Sequence, residues 1–189
     1  NIRFPMENLI GVWWSGSESD VLPSGMDSHG YKALAIHAPG SDFAVYDDLK
    51  TYVQDKGLSA GNGDQMGTVL YNRGLYAAMV AAESVKKAQE IHGVAQVTAP
   101  MVRDGMEALE LSRDGMAALG FPDFAPEIKL SCSNHGGQGL AAMTQWNAET
   151  KSWAMLTDFI APDEEVVAPL INADSEAYAA EAGITKRCQ

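Results

Sequence analysis

Three features of the chain predict an α/β fold: two short apolar runs closed by turn residues, long segments with helical spacing, and a late pair of alternating runs around a polar loop. Leu9 to Trp14 is apolar and rich in β-formers, the pattern of a strand buried on both faces. Ser15 to Asp20 is built from Ser, Gly, Glu and Asp, which cannot extend a strand and predict a loop at its carboxyl end. Ligands of open α/β sheets sit outside the carboxyl ends of strands. Trp14, Ser15 and Glu18 are therefore the first candidates for contact with a small molecule. The plainer reading is a core strand followed by an ordinary polar turn.

The remaining elements follow in order. Tyr31 to His37 alternates in part and stops at Ala38-Pro39-Gly40, as a second strand would. A helix capped by Ser41 or Asp42 runs to Gly57, with Phe43, Tyr46, Leu49 and Val53 at spacings of three and four. The connection from Gly57 to Asp64 leads into Gly61-x-Gly63-x-x-x-Gly67, whose spacing and lack of a preceding strand do not fit a dinucleotide site. Asp64 is the expected cap of the longest helix, Gln65 to His92, closed by Gly93. Its first turns hold Tyr71-Asn72-Arg73, of which Asn72 and Arg73 interrupt the apolar pattern near an N-terminus that favours anions. An Arg paired with a surface carboxylate is the alternative there. Thr98-Ala-Pro100 opens another helix, and Ser112 opens a short one ending at Gly120. Ile128 to Cys132 reads as a strand, and Leu140–Trp146 and Trp153–Ile160 as a hairpin across Asn147 to Lys151. Pro162 to Ile171 is expected to be partly helical, and Asp174 to cap a last short helix through Ala182. Strands are too few for a complete doubly wound sheet, so part of the sheet is expected to lie outside this chain.

Composition narrows the function. The 189 residues are 46% hydrophobic and 20% charged, ordinary values for a folded protein, with a net charge of −12. That charge argues against nucleic acid or an anionic membrane as partner. No apolar run approaches the roughly 18 residues that span a bilayer. The chain begins at Asn1 without Met or a basic-then-apolar leader, the expectation being a processed product or a piece of something longer. Two cysteines, Cys132 and Cys188, are either free thiols or one bridge closing 188 − 132 = 56 residues; such a bridge would contribute about 4 kcal/mol. The four histidines show no paired metal spacing, and Cys132-x-x-His135 is half of a zinc site without its other half, so neither metal nor cofactor is expected. No nucleophile elbow, His-Glu-x-x-His or P-loop is present. Two readings remain: a binder with its cleft between two lobes, or an α/β enzyme using Glu18 or Asp20 as a general base.

Several motifs carry a resemblance: Gly11-Val-Trp-Trp-Ser-Gly-Ser-Glu18, Gly30-Tyr-Lys-Ala33, Tyr71-Asn-Arg-Gly74, Gly105-Met-Glu-Ala-Leu109, Cys132-Ser-Asn-His-Gly136, Gln145-Trp146, Trp153, Thr157-Asp158 and Gly183-Ile-Thr-Lys-Arg-Cys188. In order and spacing they resemble the C-terminal half of type I periplasmic solute-binding proteins of branched-chain amino acid ABC transporters. The resemblance implies two α/β lobes with parallel sheets, a ligand trapped between them, and an N-terminal half outside this chain. It implies residues 1–58 in the second lobe, 59–125 in the first, and 126–189 as a β-meander and tail returning to the second lobe and hinge. It further implies that Glu18 meets an amino-acid ammonium, flanked by Trp14 and Ser15, as a buried ammonium needs a carboxylate and gains from an aromatic face. Tyr71, Asn72 and Arg73 would face the cleft from the first lobe, and the Arg suggests an acidic, amide or otherwise polar ligand. The implied partner is a membrane permease and the implied place the bacterial periplasm, where Cys132 and Cys188 can oxidise.

Overall fold

The computed structural model describes residues 4–61, 63–185 and 187–188. Residues 1–3 of the expected lead-in, Asn62 of the glycine-rich connection and Lys186 of the closing motif lie outside the described residues. The strands are β1 (Ile10–Gly11), β2 (Lys32–Ala35), β3 (Glu110–Leu111), β4 (Ile128–Lys129), β5 (Ala142–Asn147) and β6 (Ser152–Met155). The helices are α1 (Glu18–Val21), α2 (Val45–Leu49), α3 (Val69–His92), α4 (Ala99–Glu107), α5 (Arg113–Ala118) and α6 (Glu164–Glu181). The chain forms two compact units, and α3 contributes residues to each.

The first unit takes residues up to Ala82, Leu111–Glu127 and Ala141–Ile160. Its sheet has the order β1-β2-β5-β6. β1 runs parallel to β2, with Gly11 opposite Ala33. β2 is antiparallel to β5, and β5 to β6 across the expected hairpin. The sheet is therefore mixed where a parallel one was expected, because the hairpin lies directly against β2. Burial alternates strictly along β5, placing Ala142, Thr144 and Trp146 inward. The buried Thr144 hydroxyl donates to the Ala33 carbonyl at 3.0 Å, so its polarity is satisfied. Trp146 and Trp153, 5.4 Å apart, close the core with Val21, Ala33 and Val69.

Two expectations change near the N-terminus. The strand that was to run from Leu9 to Trp14 covers only Ile10–Gly11, and Trp13–Ser15 form a 3-10 turn. It is not buried on both faces, since Ile10 and Val12 are each more than half exposed. Gly11 is required at this turn: the Tyr31 hydroxyl bonds Ser15 Oγ at 2.9 Å, and a Cβ on Gly11 would sit 2.8 Å from Tyr31 Cζ. α3 begins at Val69, capped by Thr68 rather than Asp64, with Thr68 Oγ1 accepting from the Tyr71 N–H at 3.3 Å.

The second unit holds Glu83–Glu110, Ile128–Leu140 and the chain from Ala161. Ser84 and Ala88 of α3, both fully buried, face Gly105 of α4. A Cβ at Gly105 would lie 2.6 Å from the Ala88 nitrogen, so only glycine permits this approach. Cys132 and Cys188 are paired, with Cα atoms 5.5 Å apart. Next to that pair, Glu107 accepts from the Arg187 guanidinium and lies 3.2 Å from His135 Nε2. Arg187 holds the Glu107 carboxyl below its ordinary range, with His135 adding to the effect. α6 is one helix from Glu164, not a partial helix followed by one capped at Asp174. Pro169 removes one backbone N–H and crowds the carbonyl of Glu165, yet the helix continues through the alanine-rich stretch from Ala173 to Ala180.

Substituting Gly105→Val should destabilise the protein by roughly 1–3 kcal/mol through overpacking. This would appear as a lower urea midpoint at unchanged slope. An unchanged midpoint would show that α3 and α4 do not approach as closely as described.

Candidate functional site

Because β1 and β2 are parallel, their carboxyl ends share one edge of the sheet, and the chain beyond each end meets the start of α3 there. Three interactions make this junction. Asn72 is fully buried, and its amide nitrogen donates to the carbonyls of Gly40 at 2.7 Å and Ala38 at 3.3 Å. Its amide oxygen accepts from the Tyr46 hydroxyl, which itself accepts from the Gly67 N–H at 2.9 Å. Glu18 Oε2 accepts from the Val69 N–H at 3.0 Å, placing a carboxylate at the N-terminus of a 24-residue helix, where the helix dipole favours it. Arg73 donates from a terminal nitrogen to the Trp13 carbonyl at 3.0 Å and lies 4.6 Å from the centre of its ring.

Burial lowers the Arg73 pKa, with Asp20 pulling it back up. Burial also raises the Tyr46 pKa, opposed by the Gly67 N–H. His37, just past β2, is buried and stacked on Phe124 at 5.1 Å, its Nδ1 donating to the Ala38 carbonyl at 3.0 Å. Its pKa is lowered from 6.5, chiefly by burial and further by Arg73, against the pull of the Ala38 carbonyl.

The candidates from sequence are near neighbours but do not share one surface. Trp14 is 71% exposed, its ring 4.1 Å from that of Trp13. Glu18 lines a hollow of about 220 Å³ with Gly40, Ser41, Gly67, Thr68 and Lys151. Ser15 lines a different hollow, of about 250 Å³, with Asp20 and Tyr31. Tyr71 is half-buried and stacks on Tyr46 at 6.1 Å. Asn72, fully buried, holds the junction together. Asp20 Oδ2 accepts from the Ser17 N–H at 2.9 Å and the Ser17 hydroxyl at 2.6 Å. Both candidate bases of the enzyme reading are thus engaged by backbone N–H groups. Sequence reasoning missed Tyr46, His37 and Phe124, which looked like ordinary helix, strand and break residues. Among the described residues no group of three or more His, Cys, Asp or Glu is placed to hold a metal ion, and no helix is long and apolar enough to cross a membrane.

Comparison with known proteins fits this architecture. The chain is similar to a crystal structure described as an ABC transporter permease from the Pseudomonas fluorescens group, with 34% identity and a TM-score of 0.90 over 98% of this chain and 44% of that one. It is also similar to a branched-chain amino acid ABC transporter from Thermus thermophilus with bound valine, with 18% identity and a TM-score of 0.61 over 84% of this chain and 41% of that one. No protein-family model and no curated protein matches. The chain spans less than half the length of either relative. Its fold resembles a fragment of a type I periplasmic binding protein, and its structural kinship is with ABC transporter components.

Two outcomes test the junction. Asn72→Ala leaves a buried hydroxyl and two carbonyls without their partner, which should cost roughly 2–4 kcal/mol in urea unfolding; a loss below about 0.5 kcal/mol would mean the amide is not a hub. His37 makes stability depend on pH. Its folded pKa is depressed, so its contribution is complete above 6.5 and is lost as pH falls from there toward the folded value. The melting temperature should therefore drop more between about pH 7.5 and about pH 5 in the wild type than in His37→Phe, which keeps the ring stack. Equal drops would place the titration elsewhere.

Proposed function

We propose that this chain is part of the solute-binding component of an ABC importer, capturing an amino acid, amide or similar small polar molecule and delivering it to a membrane permease. The observation that carries the reading is the Glu18 hollow, lined by the segments that follow two parallel strands (Glu18 after β1, Pro39 to Ser41 after β2), the kind of segment that takes ligands in α/β sheets, together with Lys151 to Trp153 at the start of β6. At about 220 Å³ it is smaller than the roughly 300–1,000 Å³ of complete small-molecule sites. A hollow of that size suits one wall of a cleft whose other wall comes from sequence beyond this chain. The bound valine of the Thermus thermophilus relative supports an amino acid as ligand class.

In this reading Glu18 meets the ligand ammonium, with Trp14 as a neighbouring aromatic face and Ser15 beside it. Tyr71 and Arg73 border the cleft, and Asn72 positions them. For the complete protein we keep 1–58 and 126–189 as parts of one lobe and hinge, and 59–125 as part of the other. Its place would be the periplasm, where the Cys132–Cys188 pair can persist. A second reading, part of a permease, has the description of the Pseudomonas relative in its favour.

The test is a thermal-shift panel of amino acids and their amides on the full-length protein. A ligand at 100 times its Kd should stabilise by about 2.7 kcal/mol. Trp14→Ala, which removes a side chain already in solvent, should reduce that shift while leaving the ligand-free melting temperature in place. A panel with no shift would remove amino acids and amides as the ligand class and leave the permease reading standing.

A further inference from the structure

A larger hollow in the same unit shares no lining residue with the Glu18 hollow. It measures about 450 Å³ and lies where α5, the segment after it and the chain beyond β6 come together. This is twice the size of the Glu18 hollow and within the range of complete small-molecule sites. Its charged lining is Arg113, Asp123 and Asp158, and its apolar lining includes Met116, Phe121 and Phe159. Among the described residues, none of these three charged side chains has a protein partner; the Glu127 carboxylate reaches only the backbone N–H of Arg113, at 3.4 Å. Thr157 also lines the hollow, and its Oγ1 accepts from the Met143 N–H at 3.0 Å, leaving the hydroxyl proton to donate.

The segment that brings Phe121, Asp123 and Ala125 into the lining is anchored by Phe124 between them. Phe124 is fully buried, stacked on His37 and edge-on to Phe43 at 4.9 Å and Phe121 at 5.2 Å. Its carbonyl accepts from the Ala38 N–H at 2.7 Å. Asp123, just before it, is held at φ 51°, a left-handed conformation that Asp tolerates better than most residues. The acid therefore sits on a rigid corner. A preformed site of this kind loses little entropy on binding.

We propose that this hollow is a second small-molecule site, whole within the chain, that takes a free α-amino acid. Arg113 and the Thr157 hydroxyl receive the carboxylate, Asp123 and Asp158 the ammonium, and Met116, Phe121 and Phe159 the side chain. One guanidinium against two carboxylates leaves a net charge of −1, so neutral and basic amino acids are preferred over acidic ones.

The experiment titrates L-leucine and L-lysine into the full-length protein, with N-acetyl-L-leucine amide as a probe lacking both charges. Calorimetry gives affinity and amide chemical shifts give location. Both amino acids should bind and the blocked probe should not, with amide signals of residues 121, 123–125 and 157–159 moving while those of 66–69 stay still. Arg113→Gln and Asp158→Asn, both at exposed side chains, should each weaken binding at least about tenfold, or about 1.4 kcal/mol. Four results would overturn the proposal: no binding by about 10 mM, where even millimolar affinity registers; equal binding of the blocked probe; signal changes at 66–69 instead of 157–159; or affinity untouched by both substitutions. The location of the moving signals keeps this result separate from the fate of the cleft, whose hollow involves residues 66–68.

Discussion

A buried carboxamide dictates where the first turns of α3 can lie. Asn72 has no exposure, so each polar atom of its side chain must find a partner inside the protein. The partners are the carbonyls of Ala38 and Gly40 and the hydroxyl of Tyr46, which belong to the segment beyond β2 and to α2. Leaving any one of them unpaired would cost about 1–3 kcal/mol. This geometric demand pins the helix start to the carboxyl edge of the sheet. Once it is pinned, Val69 presents its free N–H to Glu18, and Arg73 reaches the Trp13 carbonyl. One helix end thus positions the loops that follow both parallel strands.

The charges at this edge already have work within the fold. Glu18 neutralises the positive end of α3, and Arg73 lies over an indole. A ligand ammonium arriving at Glu18 would share a carboxylate with a backbone N–H, which is tolerable because a carboxylate has about four lone-pair sites. A general base in the same position could take its proton on Oε1 and keep that contact through Oε2, so the contact does not by itself separate recognition from proton transfer. What separates the two readings is kinship, since the structural relatives are transporter components.

The residues differ in how much they revealed. The hairpin was legible because Asn147 and its polar neighbours stand between two alternating runs, and Asn147 Oδ1 does accept from the N–H groups of Glu149 and Thr150. The start of α5 was legible from Ser112, whose hydroxyl accepts from the Gly115 N–H at 3.1 Å. The end of β1 was not. Trp13 and Trp14 have strand propensity, but Arg73, 60 residues away, holds the Trp13 carbonyl and the backbone turns instead. Asp64 looked like the cap of α3 because nothing local shows that Glu18 would supply the carboxylate from 51 residues upstream. Asn72 and Tyr46 are likewise silent in sequence, since their pairing exists only after three separate segments have met.

The β1 edge of the sheet and the hollow at Arg113 differ in what they leave open. β1 is two residues long and ends the strand order, and Ile10 and Val12 beside it stand mostly in solvent. Apolar side chains at a sheet edge gain about 25 cal/mol for each Å² that another surface covers. The β1 edge, whose neighbour Leu9 lines the Ser15 hollow, therefore has free energy to gain from further protein. The hollow at Arg113 has the opposite character. Met116, Phe121 and Ala125 in its lining are already buried, and only its charged groups lack partners. Further apolar surface would add little there, whereas a small molecule bearing both charges would satisfy what the protein leaves open.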